Sequence, residues 1–271
     1  MNKTYTTVLT IAGSDSSGGA GIQADIKTFA ALECFGLSVI TAITAQNTTG
    51  VNAVYPFDET CIREQFRSIS TDIAIDAVKI GMLGSAAAVK TVSALLREIK
   101  GNPPVILDTV LASSGGTPLL PLDAIPLLKE ELFPLTSLIT PNLPESALLT
   151  GMNFTPDTAE AVEETAAKLL ETGTAAVLIK GGHREGNECR DCLLYDNRFF
   201  WYSSAKIMTG NTHGTGCTLS SAIAAFMARG ETTERAVAMA KAYLDEALQA
   251  GAAYRFGNGS GPLHHFYRFW R

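Results

Sequence analysis

Apolar residues along the chain follow two alternating rhythms. Continuous apolar runs at Val8–Ala12, Leu37–Thr44, Ala77–Ile80, Val105–Leu107, Leu138–Thr140 and Ala175–Lys180 predict strands buried on both faces. Between them the spacing turns helical. Ile22, Ile26, Phe29 and Ala30 share one predicted face, and Ile62, Phe66 and Ile69 another. Val89, Val92, Leu96 and Ile99 form a third. Ala161, Val162, Thr165, Ala166 and Leu169 form a fourth, with Thr155 or Asp157 as its cap and Gly173 as its close. Val51–Tyr55 reads as an edge strand. Cys192–Tyr195 and Arg198–Tyr202 read as a hairpin across Asp196-Asn197, and Ala205–Met208 as one more strand-like run. Helices over about Ser220–Ala228 and Thr233–Gln249 follow, and the aromatic, Gly-rich tail from Tyr254 has no clear period.

Strand and helix alternate from Val8 to Leu178. That order predicts a three-layer, doubly wound α/β fold: a mostly parallel sheet with helices on both faces and right-handed crossovers. No linker, composition shift or repeat divides the chain, so residues 1–271 read as a single domain.

In such a sheet, ligands bind beyond the carboxyl ends of the strands. Those ends carry the loop Gly13–Gly21, then Gln46, Met82, Asp108, Asn142 with Glu145, and Lys180-Gly181-Gly182. The stretch Thr209–Leu219 runs into the helix after it, so Gly214, Thr215, Gly216 and Cys217 fall on its first turn. Unpaired N–H groups and the helix dipole make that turn an anion hole, with Cys217 at its mouth. Asp108 and Glu145 are hard oxygen ligands suited to a hydrated Mg²⁺. Gln46 offers a donor beside an acceptor, which suits the edge of a nitrogen heterocycle. Met82 and Val110 are apolar and suit a flat ring. Each residue has a structural reading of its own, as cap, core or solvated end; their convergence at one sheet edge favours a site.

Gly19-x-Gly21-x-x-Ala24 matches the dinucleotide fingerprint, but several residues separate it from its strand and no acid ends the next strand.

The chain has 271 residues, a net charge of −6 and a sequence pI near 5.3, which argue against a nucleic-acid or anionic-membrane surface. Its five scattered cysteines fit a reducing cytoplasm. Cys189-x-x-Cys192 stands without a second pair, and two free thiols are the expectation there. The first ten residues are too polar for a signal peptide, and no apolar run approaches the length of a spanning helix.

Six motifs stand in order: Ala12-Gly13-Ser14-Asp15-Ser16-Ser17-Gly18-Gly19-Ala20-Gly21-Ile22-Gln23-Ala24-Asp25, Thr44-Ala45-Gln46-Asn47-Thr48, Lys79-Ile80-Gly81-Met82-Leu83, Thr140-Pro141-Asn142-Leu143-Pro144-Glu145, Lys180-Gly181-Gly182-His183 and Asn211-Thr212-His213-Gly214-Thr215-Gly216-Cys217-Thr218. Together they resemble the hydroxymethylpyrimidine/phosphomethylpyrimidine kinases of the ribokinase-like superfamily, up to about Gln249. The resemblance implies an ATP- and Mg²⁺-dependent enzyme of thiamine biosynthesis, usually a homodimer. Such an enzyme phosphorylates 4-amino-5-hydroxymethyl-2-methylpyrimidine, then phosphorylates the monophosphate to the diphosphate. It implies that Gly13, Asp25, Gln46, Met82, Val110 and Cys217 serve the pyrimidine and that Gly214–Cys217 hold the transferred phosphate. Asn142, Lys180, Gly182, Thr209 and Thr212 would serve the nucleotide, with Asp108 and Glu145 at the metal. Two departures stand out: Thr109 replaces a common Pro, and Gly210 a frequent Lys. Cys217 replaces the Asp of the superfamily's sugar kinases. At a helix N-terminus it is expected to be a partial thiolate able to take the hydroxyl proton. The alternatives are a pyridoxal/pyridoxine kinase on the same fold and a non-catalytic pyrimidine-binding sensor.

Overall fold

The structure, a computed structural model, describes residues 3–113, 116–153, 155–182 and 186–270. His183, the end of the Lys180 motif, lies outside them. The strands β1 (Thr7–Asp15), β2 (Phe35–Asn47), β3 (Gly50–Pro56), β4 (Ala77–Ile80), β5 (Val105–Leu107), β6 (Leu138–Ile139), β7 (Ala176–Ile179), β8 (Glu188–Tyr195) and β9 (Arg198–Ala205) form one sheet in the order β3-β2-β1-β4-β5-β6-β7-β8-β9. The six strands from β2 to β7 in that order run parallel. Antiparallel β3 closes one edge and the β8–β9 hairpin the other.

Each face of the sheet has its own apolar layer. On one side Leu9, Ile11, Val78, Ile80 and Val177 meet Ile62 and Phe66 of α2 (Glu59–Ser70), Val89 and Val92 of α3 (Ala86–Leu96), and Val162 and Leu169 of α6 (Ala159–Leu170). On the other, Val8, Ala77, Ile106 and Leu178 meet Phe29 of α1 (Gly21–Ala31), Ile223 of α7 (Thr215–Ala228) and Val237 of α8 (Thr233–Gly251). Between β5 and β6 run α4 (Ile125–Leu127) and short flanking turns over 122–135, which the apolar pattern does not mark because Pro126 and Pro134 interrupt it. α5 (Leu143–Thr150) opens with a full capping box between Asn142 and Glu145.

Several expectations need correction. Ile26 and Ala30 are exposed, because α1 is wedged between the sheet and α7 and turns Asp25 and Thr28 inward instead. The cap of α6 is Thr158, whose hydroxyl accepts from Ala161 N, not Thr155 or Asp157. The Ala205–Met208 run is strand only at Ala205, and Met208 lies open to solvent. β2 runs through Gln46 and Asn47, which pair with Val51 and Gly50 of β3, so Gln46 sits in a strand and not past its end. Cys189 and Cys192 are free thiols in β8, and Cys192 is fully buried.

Candidate active site

The N-termini of two long helices are bare. α1 begins after Ala20 and α7 after Gly214, and neither residue caps its helix with a side chain. Uncapped first turns leave N–H groups for a ligand or for neighbouring loops. Gly214 takes φ +85°, and a Cβ there would lie 1.9 Å from Gly19 O. Only glycine lets the two loops close this far. A Cβ on Gly216 would stand 3.2 Å from Asp108 Oδ2 and 3.4 Å from Lys180 Nζ, so the first turn of α7 faces that charged pair.

Asp108 is buried at the end of β5. Its Oδ1 accepts from Lys180 Nζ at 2.7 Å and from the Thr140 hydroxyl at 3.3 Å. Among the described residues its Oδ2 has only Ser220 Oγ at 3.4 Å, and that hydroxyl sits closer to Gly216 O, at 2.9 Å. Burial alone would lower the Lys180 pKa, but Asp108 and then Glu145 raise it, so the ammonium persists. The expected metal pair therefore divides. Asp108 keeps one oxygen open towards the anion hole, whereas Glu145 accepts from Thr109 Oγ1 (2.9 Å), Asn142 N (2.9 Å) and Leu111 N (3.1 Å). Among the described residues no group of three His, Cys, Asp or Glu could hold a metal directly. The arrangement fits a hydrated Mg²⁺ reached through water by Asp108. It leaves Glu145 as the clamp on the loop between Thr109 and Leu111.

That loop carries Val110 at φ +32°. A β-branched residue with positive φ is strained, and strain of this kind persists only where the surroundings over-determine it. Glu145 grips both neighbours of Val110. Nothing in the apolar pattern marked this tie, though the Asn142-x-x-Glu145 spacing carried it. Met82 packs beside Gly13, where a Cβ would meet its methyl at 2.3 Å. Thus Gly13 and Met82 come together as expected.

Asp25 is placed differently. It is fully buried and accepts from Lys79 Nζ at 2.9 Å on both oxygens, Thr10 Oγ1 at 2.6 Å and Ser221 Oγ at 2.7 Å. Lys79, equally buried, escaped the sequence reading because it sits among strand apolars. Burial opposes its charge, but Asp25, and after it Cys217 and Asp108, hold its pKa well above that of a free lysine.

Cys217 is half-buried. Burial pushes its thiol up to about 11, and the lowering by Lys79 and by the Gly21 N–H does not offset this. The expected partial thiolate is therefore corrected to a neutral thiol: burial, with Asp25 and Asp108 nearby, outweighs Lys79 and the Gly21 N–H.

Two residues absent from the expected set organise the other side. Asp15 Oδ1 accepts from Ser17 N, and its Oδ2 from Gly19 N and Ala20 N and from the His213 ring at 2.8 Å. Burial works to raise the Asp15 pKa, but the bonds from His213 and Ser17 outweigh it and bring the value down to about 2. His213 Nε2 also lies 3.3 Å from the end of the Gln46 amide. The repeated Gly-Ser loop and the His before Gly214 were the signals for this pairing. Gly210 and Thr212 are joined to the tail: Ser260 Oγ donates to Gly210 O and lies 3.3 Å from Thr212 Oγ1, while the Thr209 hydroxyl accepts from Asn211 N. His213 N donates to Gly261 O, and Asn258 N and Gly259 N donate to Thr48 Oγ1 in the β2–β3 turn. The patternless tail therefore straps two site loops together. Gly182 is exposed beyond β7, next to Gly181, whose N–H is held by Asp191.

Residues 15–264 match the family model described as phosphomethylpyrimidine kinase. A hydroxymethylpyrimidine/phosphomethylpyrimidine kinase of Rhizobium meliloti is 45% identical over 263 residues, covering 97% of this chain and 98% of that one. Among solved structures, a phosphomethylpyrimidine kinase from Clostridium difficile superposes with a TM-score of 0.78 at 41% identity, over 89% of this chain and 98% of that one. A pyridoxal kinase of Bacillus subtilis, solved as an ADP complex, has a TM-score of 0.88 at 34% identity, over 97% of this chain and 98% of that one. With the bare first turn of α7 beside the Asp108–Lys180 pair, these similarities show that the chain belongs to the phosphomethylpyrimidine kinase family.

Proposed function

We propose that the chain transfers phosphoryl groups from ATP, first to the hydroxymethyl group of 4-amino-5-hydroxymethyl-2-methylpyrimidine and then to the resulting monophosphate, in thiamine biosynthesis. The observation that carries this is the convergence of two uncapped helix N-termini on Cys217, beside the contact of Gly13 with Met82, a wall that Val110 is proposed to extend. The pyrimidine lies against that wall with Gln46 at its edge. Its hydroxymethyl group points to Cys217, and the N–H groups of Gly214, Thr215, Gly216 and Cys217 neutralise the transferring phosphoryl group. Phosphoryl transfer is largely dissociative, so positioning and charge neutralisation carry most of the catalysis. That agrees with a neutral thiol at position 217, which lines the pocket and donates rather than removes a proton. Asp25 acts from behind, by holding Lys79 beneath the pocket.

ATP meets the opposite side of the anion hole. Lys180 keeps two N–H donors free of Asp108 for its phosphates. Asn142, whose Oδ1 is committed to Glu145 N, still has its amide N–H groups to offer. Gly182, Thr209 and Thr212 flank this side. Mg²⁺ carried on the nucleotide would supply further neutralising charge, and Asp108, through its Oδ2, is the residue that would hold it.

The pyridoxal kinase reading has the structural relative in its favour. The 45% identity to a pyrimidine kinase over nearly the whole chain outweighs it. A catalytically silent sensor has no use for the Asp108–Lys180 pair. A homodimer fits the exposed apolar residues Phe35, Ile43, Val54 and Tyr55 on β2 and β3. No described helix is long and apolar enough to cross a membrane, and a cytoplasmic enzyme fits five free thiols. A coupled ADP-release assay with the hydroxymethylpyrimidine, its monophosphate and pyridoxal tests the reading. Turnover on both pyrimidines is expected, and preferential turnover of pyridoxal overturns it.

A further inference from the structure

The Gln46 amide is held at both ends, and counting protons shows which end is which. Asp15 collects N–H donors from Ser17, Gly19 and Ala20 and the Ser17 hydroxyl, so it is a carboxylate. The His213 Nε2 that reaches Asp15 Oδ2 at 2.8 Å must then carry a proton to donate. A protonated ring nitrogen cannot accept from an amide NH₂. Gln46 Nε2 lies 3.3 Å from His213 Nε2, where two N–H groups would face each other, so we turn the amide to place its carbonyl oxygen there, sharing the ring proton with Asp15.

The other end of the amide is compatible with that answer. The Thr44 hydroxyl has one proton. Ser14 O stands 3.0 Å from it and the Gln46 amide terminus 3.2 Å. With that proton given to Ser14 O, the nearer acceptor, the Thr44 oxygen is free to accept from a Gln46 NH₂. This orientation of the amide answers both ends, and the reverse orientation fails at His213.

We infer that Asp15, His213, Thr44 and Ser14 form a relay that fixes the polarity of the Gln46 amide, with its oxygen on the His213 side and its nitrogen on the Thr44 side, and that this polarity selects the substrate. The inference rests on Gln46 facing the ring edge, as proposed above. His213 immediately precedes Gly214, so the oxygen end lies nearer the anion hole. The substrate's hydroxymethyl group sits in that hole. Going away from it around the ring come the exocyclic amine, a donor, and then the ring nitrogen, an acceptor. The fixed amide meets them in matching order, oxygen to amine and NH₂ to ring nitrogen, using the second lone pair and second proton that the relay leaves free. A 4-oxo pyrimidine presents the reverse order, and an amide locked in this way cannot turn to suit it. Asp15, His213 and Thr44 are thus positioning residues.

The test has two arms. The first is the ¹⁵N spectrum of His-labelled protein without substrate, which reports the His213 tautomer directly. A protonated Nε2 is expected, and an unprotonated Nε2 overturns the relay. The second compares kcat/KM for the 4-amino substrate and its 4-oxo analogue. Wild type should favour the amine by at least roughly tenfold, as expected when buried polar groups are left mispaired. In His213→Leu the amide can rotate, and that preference should shrink roughly tenfold, mainly through recovery of the oxo compound. Asp15 retains its other donors in that variant. Thr44→Val releases the opposite end and gives the same readout should His213→Leu fold poorly. An unchanged preference in both variants overturns the selection. If Gln46→Ala leaves both substrates unaffected, the contact of Gln46 with the ring is what fails, whereas the tautomer is read independently of it.

Discussion

Replacing Lys79 by Met separates a buried charge from its only ion-pair partner among the described residues. Lys79 and Asp25 are both fully buried and meet at 2.9 Å. The long Met side chain fills most of the vacated volume, so the loss is electrostatic rather than a cavity. Asp25 would keep the Thr10 and Ser221 hydroxyls, which solvate an anion but do not neutralise it. Breaking one side of a buried pair typically costs about 3–5 kcal/mol. Unfolding entropy is ~2.1 cal/mol/K per residue, so for 271 residues this corresponds to a fall in Tm of roughly 5–9 °C. Urea unfolding of the ligand-free protein measures the first quantity, and calorimetry the second. The double variant Lys79→Met/Asp25→Asn removes the orphaned charge and leaves the hydroxyl bonds a partner. It should be more stable than the sum of the single losses by at least about 1 kcal/mol. A Lys79→Met loss below about 1 kcal/mol, or strict additivity in the double variant, would show that the pair does not couple and that water or a proton already relieves Asp25.

Four shorter predictions follow from the same geometry. Cys217→Ala should slow both phosphorylations by similar factors, because burial holds the thiol at about 11; a selective loss of the first step would reinstate a base role. Gln46→Glu should weaken the pyrimidine roughly ten- to a hundredfold with little change for ATP, and partly recover at lower pH, by calorimetry at two pH values. Asp15 has a folded pKa of about 2 against an ordinary 3.8, so its contribution is present above 3.8 and is lost as pH falls through about 2. Asp15→Asn should therefore remove about 2 kcal/mol of acid-dependent stability from that window alone, read from urea midpoints across the acid range. Glu145→Ala frees the loop around Val110 and should weaken pyrimidine binding even without ATP, whereas Asp108→Ala should raise the Mg²⁺ requirement; the opposite pattern would return Glu145 to the metal.

The layers of this fold were legible because parallel strands buried on both faces read as unbroken apolar runs. Val8–Ala12 and Ala77–Ile80 needed no further clue. What the pattern could not reveal were polar groups turned inward. Asp25 and Lys79 look like surface residues until the structure pairs them. The displacement of Ile26 to the outside follows from that same inward turn. Glycines announced the anion hole, since Gly214 and Gly216 have few other uses so close together. The different partners of Asp108 and Glu145 were hidden, because both are carboxylates at strand ends and only their donors tell them apart. The tail was opaque for a related reason. Its bonds to Thr48, Gly210 and His213 run mostly through backbone groups, which leave no mark on side-chain periodicity.

That tail has a consequence for biosynthesis. Thr48 and the amides of Asn258 and Gly259 that it holds are more than two hundred residues apart in sequence. A ribosome adding ~5–20 residues per second needs at least about ten seconds to make the intervening chain. Throughout that interval the β2–β3 turn lacks its strap, although β1, β2 and β4 can pair once made. The nascent protein therefore acquires its sheet well before it acquires a closed site. Peptide or domain fusions placed between Gly251 and Pro262 should yield folded protein with impaired chemistry, and an insertion in the exposed loop at Gly101 should not.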